Sequence, residues 1–133
     1  MTQLITDKGF VADHWTHGYS PLGTANDAVA LDVPSDAQVD DIPLNDALKM
    51  IRVDFPSFAD GRGFTIAQGL RLRGYTGQLR AFGHVLADQY AMARRAGFDE
   101  VEISHDLAAR QPQDQWLARA NWQAHDYQSR LRG

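Results

Sequence analysis

An arginine set between two glycines and preceded by an aspartate, Asp60-Gly61-Arg62-Gly63, follows an apolar run that stops at Pro56. That order encodes a strand, a turn and then a helix, and a helix start offers unpaired N–H groups at the positive end of its dipole. Arg62 adds a planar fork that is always charged. The combination suits sulfite, sulfate, phosphate or a carboxylate, and makes Asp60, Gly61, Arg62 and Gly63 the candidate anion-binding residues. A plainer reading has Asp60 capping the helix, Arg62 pairing with a carboxylate and the glycines shaping the turn.

A second cluster holds Gly83, His84, Asp88 and Gln89. A histidine beside an acid can move protons near neutral pH, which makes His84 and Asp88 the catalytic candidates, with Asp88 or Gln89 orienting the ring. Structurally, Asp88 could instead cap a helix and His84 stand exposed in a loop. Ser104, His105 and Asp106 form the third cluster; three adjacent residues do not make a hydrolase relay without the right tertiary geometry. Asp54, Gln89 and His105 are expected on the rim of a shared pocket. His14 and His17 would chelate a metal only from a helix, which the surrounding Gly, Ser, Pro and Thr argue against, so no metal is expected. Trp116, Trp122 and Tyr127 sit at helical spacing and are expected in core.

These clusters need elements to hold them. With 133 residues the chain is the usual size for one domain, and residues 1–133 are taken as a single α/β unit. Leu4 to Ala12 reads as a hairpin turning at Asp7-Lys8-Gly9, and 13–27 as an irregular loop. From residue 28 strand-like runs alternate with helix-length segments: Val29 to Val33, Met50 to Phe55, Gln78 to Phe82 and Glu100 to Ser104 as strands, with helices near Leu44 to Leu48, Phe64 to Arg73 and Leu86 to Ala96. Such alternation predicts βαβ crossovers and a mainly parallel sheet of about four strands with flanking helices. Pro112 to Leu131 places Trp116, Ala120, Ala124, Tyr127 and Leu131 on one face of a final helix. In an open parallel sheet ligands bind beyond the carboxyl ends of the strands, so the tips near Phe55, Phe82 and Ser104 should share one mouth.

Composition narrows the chemistry. There is no cysteine, which removes disulfides, thiolate nucleophiles and iron–sulfur clusters. No dinucleotide or Walker-type glycine loop is present and no cofactor is evident. The net charge of −4 argues against nucleic acid, although residues 61–133 carry ten bases against seven acids. No run is long and apolar enough for a membrane span, and the first residues lack the pattern of a leader, so a cytoplasmic location is expected.

The segments VDFPSFADGRGF and LRLRGYTGQLRAFGHVLADQYAMARRAGFDEVEI closely resemble the bacterial family catalogued as domain of unknown function 934. The resemblance runs from about Ala30 to Ile103, with a weaker echo at His125 to Gln128. The family pattern falls on Asp54 to Pro56, Phe58, Asp60 to Gly63, Arg71, Arg73, Gly74, Leu79, Arg80, Gly83, Asp88, Gln89, Arg94, Arg95, Gly97 and Phe98. His84 replaces a usual Asp, Ala96 a usual Cys, and the region before Ala28 is shorter than in the family. The resemblance implies an oxidoreductase-labelled or accessory protein of assimilatory sulfite reduction, a partner of sulfite reductase or another sulfur-assimilation enzyme that binds a sulfur oxyanion. Two alternatives stand beside it: a small enzyme acting on a phosphorylated or sulfonated metabolite, and a non-catalytic homo-oligomeric scaffold.

Overall fold

Residues 50–55 show how the sheet is built. Ile51, Val53 and Phe55 are buried, whereas Arg52 and Asp54 between them are half-buried, so one face is apolar and the other polar. The structure, a computed structural model, describes residues 1–23 and 28–123. Its strands are β1 (Thr2–Thr6), β2 (Gly9–Val11), β3 (Ser20–Pro21), β4 (Ala30–Val33), β5 (Met50–Phe55), β6 (Gln78–Gly83) and β7 (Glu100–Ser104). Its helices are α1 (Arg62–Leu72), α2 (Tyr90–Ala96), α3 (His105–Arg110) and α4 (Gln113–Leu117).

The seven strands form one sheet in the order β2-β1-β7-β6-β5-β4-β3, against an expected four. The α/β class and the parallel core hold: β3 to β7 are all parallel. Two of the extra strands come from the predicted hairpin, which joins the sheet by pairing β1 antiparallel to β7. The third, β3, is two residues long and sits inside the segment expected to be irregular.

From β4 to β7 each new strand is added on the same side of its predecessor. With right-handed crossovers, that order puts α1 and α2 on the same face. There, Val33, Val53, Ala81, Val101 and Ile5 form one buried row across the sheet, packed with Ile66, Leu70, Tyr90, Ala93 and Trp116 in a common core. The opposite face carries no helix among the described residues. Across it run two rows, Asp32-Arg52-Arg80-Glu100 and Asp54-Phe82-Glu102-Leu4.

Most charges on this face are mutually paired. Arg80, 2% exposed, binds Glu100, Glu102 and Asp13, and Arg52 binds Asp32 and Glu102. The Arg52 guanidinium lies 3.7 Å from the Tyr19 ring centre and 4.2 Å from that of Phe82, held between two aromatic faces. Residues 13–21 thus form a strap over the polar face, fixed through Asp13 and Tyr19. Burial pushes the Tyr19 hydroxyl up to about 12, and that oxygen has no hydrogen-bond partner among the described residues.

Two helices differ from expectation. Leu44 to Leu48 holds a turn at 46–47, where the Asn45 side chain accepts from Ala47 N; the helical turn before it is a 3₁₀ segment at Val39–Asp41. Of the expected terminal helix, the described residues form only α4, which ends at Leu117, and turns follow to residue 123. Trp116 is buried as expected, while Ala124, Tyr127, Leu131 and the His125 to Gln128 stretch lie outside the described residues. No helix of the described residues is long and apolar enough to cross a membrane.

Candidate functional site

The Asp60-Gly61-Arg62-Gly63 turn is closed on itself. Asp60 accepts from the Arg62 backbone N–H at 3.1 Å and takes the guanidinium in two bonds, from Nε at 3.0 Å and Nη2 at 2.8 Å. Nη2 also reaches Ser35 Oγ at 3.0 Å. Hydrogen bonds from Arg62 hold the Asp60 carboxyl well below its ordinary range. An incoming anion would meet that carboxylate beside an already engaged fork. Gly63 has a packing role: a Cβ there would stand 2.5 Å from the Phe55 ring, so the glycine lets α1 approach β5.

Other arginines on the family pattern are staples as well. Arg71 donates to the carbonyls of Gly97, Tyr75 and Gly77 and pairs with Asp99, tying α1 to the strands' N-terminal end. Arg73 binds the carbonyls of Val39 and Ile42, and Arg94 binds Phe98 O and Asp7. A concavity of about 520 Å³ near Lys49 and Arg73 therefore presents cations already tied to backbone carbonyls.

The three strand tips share one cleft, which of the expected rim residues Asp54 alone lines. Because β5, β6 and β7 run side by side in one direction, Asp54, Pro56, Phe82, Gly83, His84 and Ser104 line one cleft of about 440 Å³, joined by Thr2, Asp106, Leu107 and Arg110. The crevice made by a reversal of strand order is absent among the described residues, since no parallel strand reverses the progression. The mouth instead lies at the strand tips, where Asp54 and Phe82 of the polar face meet α3. Beside it a second cleft of about 430 Å³ is lined by Pro21, Leu22, Asp32, Val33, Pro34, Asp54 and Phe82. Asp54 and Phe82 belong to both.

The residues picked out by sequence divide accordingly. Asp54 and His84 are at the mouth; the His84 ring stands 5.3 Å from Phe58, edge to face, and its Nδ1 lies 3.3 Å from Phe55 O. Gly83 takes φ +116°, and a Cβ there would lie 2.7 Å from Phe55 O, so the bend that delivers His84 requires glycine. Asp88 is away from the mouth, exposed and paired with Arg119 at 2.8 Å. Gln89 is structural: its Oε1 accepts from Leu86 N and its Nε2 donates to Phe58 O. His105 is exposed at the start of α3 and does not line the cleft, nor do Arg62 and its turn. Ser104 is spent as the α3 cap, accepting from Leu107 N at 3.2 Å.

Arg110 was not among the residues that sequence reasoning singled out. It lies on the short α3, exposed, its guanidinium without a hydrogen bond or ion pair among the described residues, of which it is the one Lys or Arg that lines the mouth. Its signal was slight: Ser104 followed by Asp106 is a helix start, which would have placed Arg110 one and a half turns on, beside the strand tips.

The model of a family described as a bacterial protein of unknown function, DUF934, matches residues 28–133. The chain belongs to that family. No curated protein and no solved structure matches it. In this DUF934 protein the matched residues supply β4 to β7, the four helices and all of the mouth except Thr2, while the strap and the wall at Pro21 and Leu22 precede them.

Proposed function

We propose that this protein binds a small anionic metabolite in the mouth at the ends of β5, β6 and β7, and serves assimilatory sulfite reduction as an accessory of the reductase. Arg110 carries the binding reading: it is an unengaged guanidinium on the same rim as His84 and Asp54, whereas Arg62 is committed to Asp60. The metabolic setting rests on the family resemblance alone. Sulfite and sulfate titrated into the full chain should raise its melting temperature, since a ligand at a hundredfold excess over its Kd adds ~2.7 kcal/mol. The gain should vanish in Arg110→Ala and survive in Arg62→Ala; the reverse pattern returns the site to the turn. For the setting, deletion of the gene should slow growth on sulfite while leaving growth on cysteine unchanged.

A second reading, a small enzyme acting on a sulfonated or phosphorylated metabolite, is favoured by the presence of Asp54 and His84 on one cleft. Asp88 leaves the list of proton carriers because it faces Arg119 at the surface. Turnover that is lost in His84→Asn with binding retained would support catalysis.

A further inference from the structure

Among the described residues, every acid on the helix-free face has a partner except one. Asp32, Glu100, Glu102 and Asp13 are all held by Arg52 or Arg80, but the carboxylate of Asp54, half-buried at the tip of the central strand β5, has no hydrogen bond or ion pair among the described residues. Its carboxylate borders two clefts as an unengaged acceptor, open to a donor from a ligand or from solvent. Asp54 also stands where the two clefts meet, next to Phe82, which borders both. The charge balance of the mouth adds a constraint. One guanidinium, Arg110, faces two carboxylates, Asp54 and Asp106, so a bare inorganic dianion would gain one attraction and meet two repulsions.

We propose, building on the binding reading above, that the ligand is a zwitterionic organic anion: a sulfonate or phosphate at Arg110, an ammonium group at Asp54, and an apolar body crossing Phe82 into the cleft walled by Pro21 and Pro34. Such a molecule supplies the donor that Asp54 lacks and neutralises the excess negative charge. Its apolar part fills a cleft whose lining is mostly apolar side chains. The wall at Pro21 comes from the segment ahead of the family match, so this half of the specificity is set by the strap.

Calorimetric titration of the full chain with sulfite, benzenesulfonate and (aminomethyl)benzenesulfonate tests this. The ammonium-bearing probe should bind at least about tenfold tighter than the other two, the size of one charge-assisted hydrogen bond. In Asp54→Asn that advantage should disappear and benzenesulfonate should bind more tightly than to the native chain, because a repelling charge is gone. In Arg110→Ala all three should weaken. Asp54→Ser, checked for an unchanged melt, serves as a second variant. Equal affinities for the two sulfonates, an advantage surviving in both Asp54 variants, or sulfite binding as tightly as the zwitterion overturns the proposal while leaving the mouth as the site. Absence of binding by all three overturns both.

Discussion

At the scale of the residue, the D-G-R-G run shows why a motif can be legible and its use not. Asp60 and Arg62 stand out for their chemistry, yet each satisfies the other at 2.8 Å, and one-dimensional order does not say whether a guanidinium finds a carboxylate before it finds a ligand. The two glycines separate the uses. Gly61 has φ −90°, and a Cβ added there would meet nothing nearer than 3.9 Å, whereas Gly63 is pressed against Phe55. We expect Gly61→Ala to change stability by less than about 0.5 kcal/mol and Gly63→Ala to cost about 1–3 kcal/mol through overpacking. Urea denaturation of both variants checks this. A large loss of ligand affinity in Gly61→Ala with stability intact would restore the turn as a binding loop. His84 and Asp54 were legible because strand-end position is a strong cue; Arg110 was not, since an arginine on a six-residue helix carries no pattern of its own.

At the scale of the element, the four central strands were readable from apolar alternation, and the hairpin from its Asp7-Lys8-Gly9 turn. What failed were short elements whose ends are fixed by side-chain hydrogen bonds. The segment around Leu44 has apolar spacing, but Asn45 turns it; α3 lacks apolar spacing, but Ser104 starts it. The Ser104 hydroxyl satisfies the Leu107 N–H, and its loss in Ser104→Ala should destabilise the protein by about 1 kcal/mol. Because α3 carries Arg110, the same variant should also weaken anion binding. Amide exchange over residues 105–110 should quicken while β5 and β6 keep their protection. Unchanged exchange in α3 would show that the helix is held by packing and that its cap is dispensable.

At the scale of the whole molecule, the strand order has the largest consequence. Successive addition on one side leaves a face without helices among the described residues, and the chain covers it with paired charges and a strap instead of apolar packing. None of this was visible in the sequence, where Arg52, Arg80, Glu100 and Glu102 are single polar residues alternating with core positions; only the pairing of strands sets them in rows. Arg80 is the centre of the arrangement. Replacing it with Met removes the one cation paired with the buried Glu100 among the described residues and leaves Glu102 only Arg52, and should cost about 3–5 kcal/mol, a large part of the roughly 5–15 kcal/mol that holds a typical domain together. Chemical denaturation of Arg80→Met measures that loss.

The strap itself answers to pH through Asp13. The hydrogen bonds from Arg80 lower the Asp13 carboxyl below its ordinary range, with burial opposing and losing. A carboxyl depressed in the folded state contributes stability that is fully present above its unfolded value, about 3.9, and is lost as the pH falls through its lower folded value. The strap should therefore remain seated at neutral pH and loosen in acid, once Asp13 takes up its proton and releases Arg80. Amide exchange over residues 13–21, corrected for its intrinsic pH dependence, should show protection falling below about pH 3.9. Asp13→Asn should show the loosened strap already at neutral pH and no further acid step there. Since Pro21 and Leu22 wall the second cleft, the same variant should weaken probes that reach into it more than it weakens sulfite. Protection of the strap that is unchanged by Asp13→Asn would mean that Tyr19 stacked on Arg52 holds the segment alone, and that the ion pair to Arg80 is not its anchor.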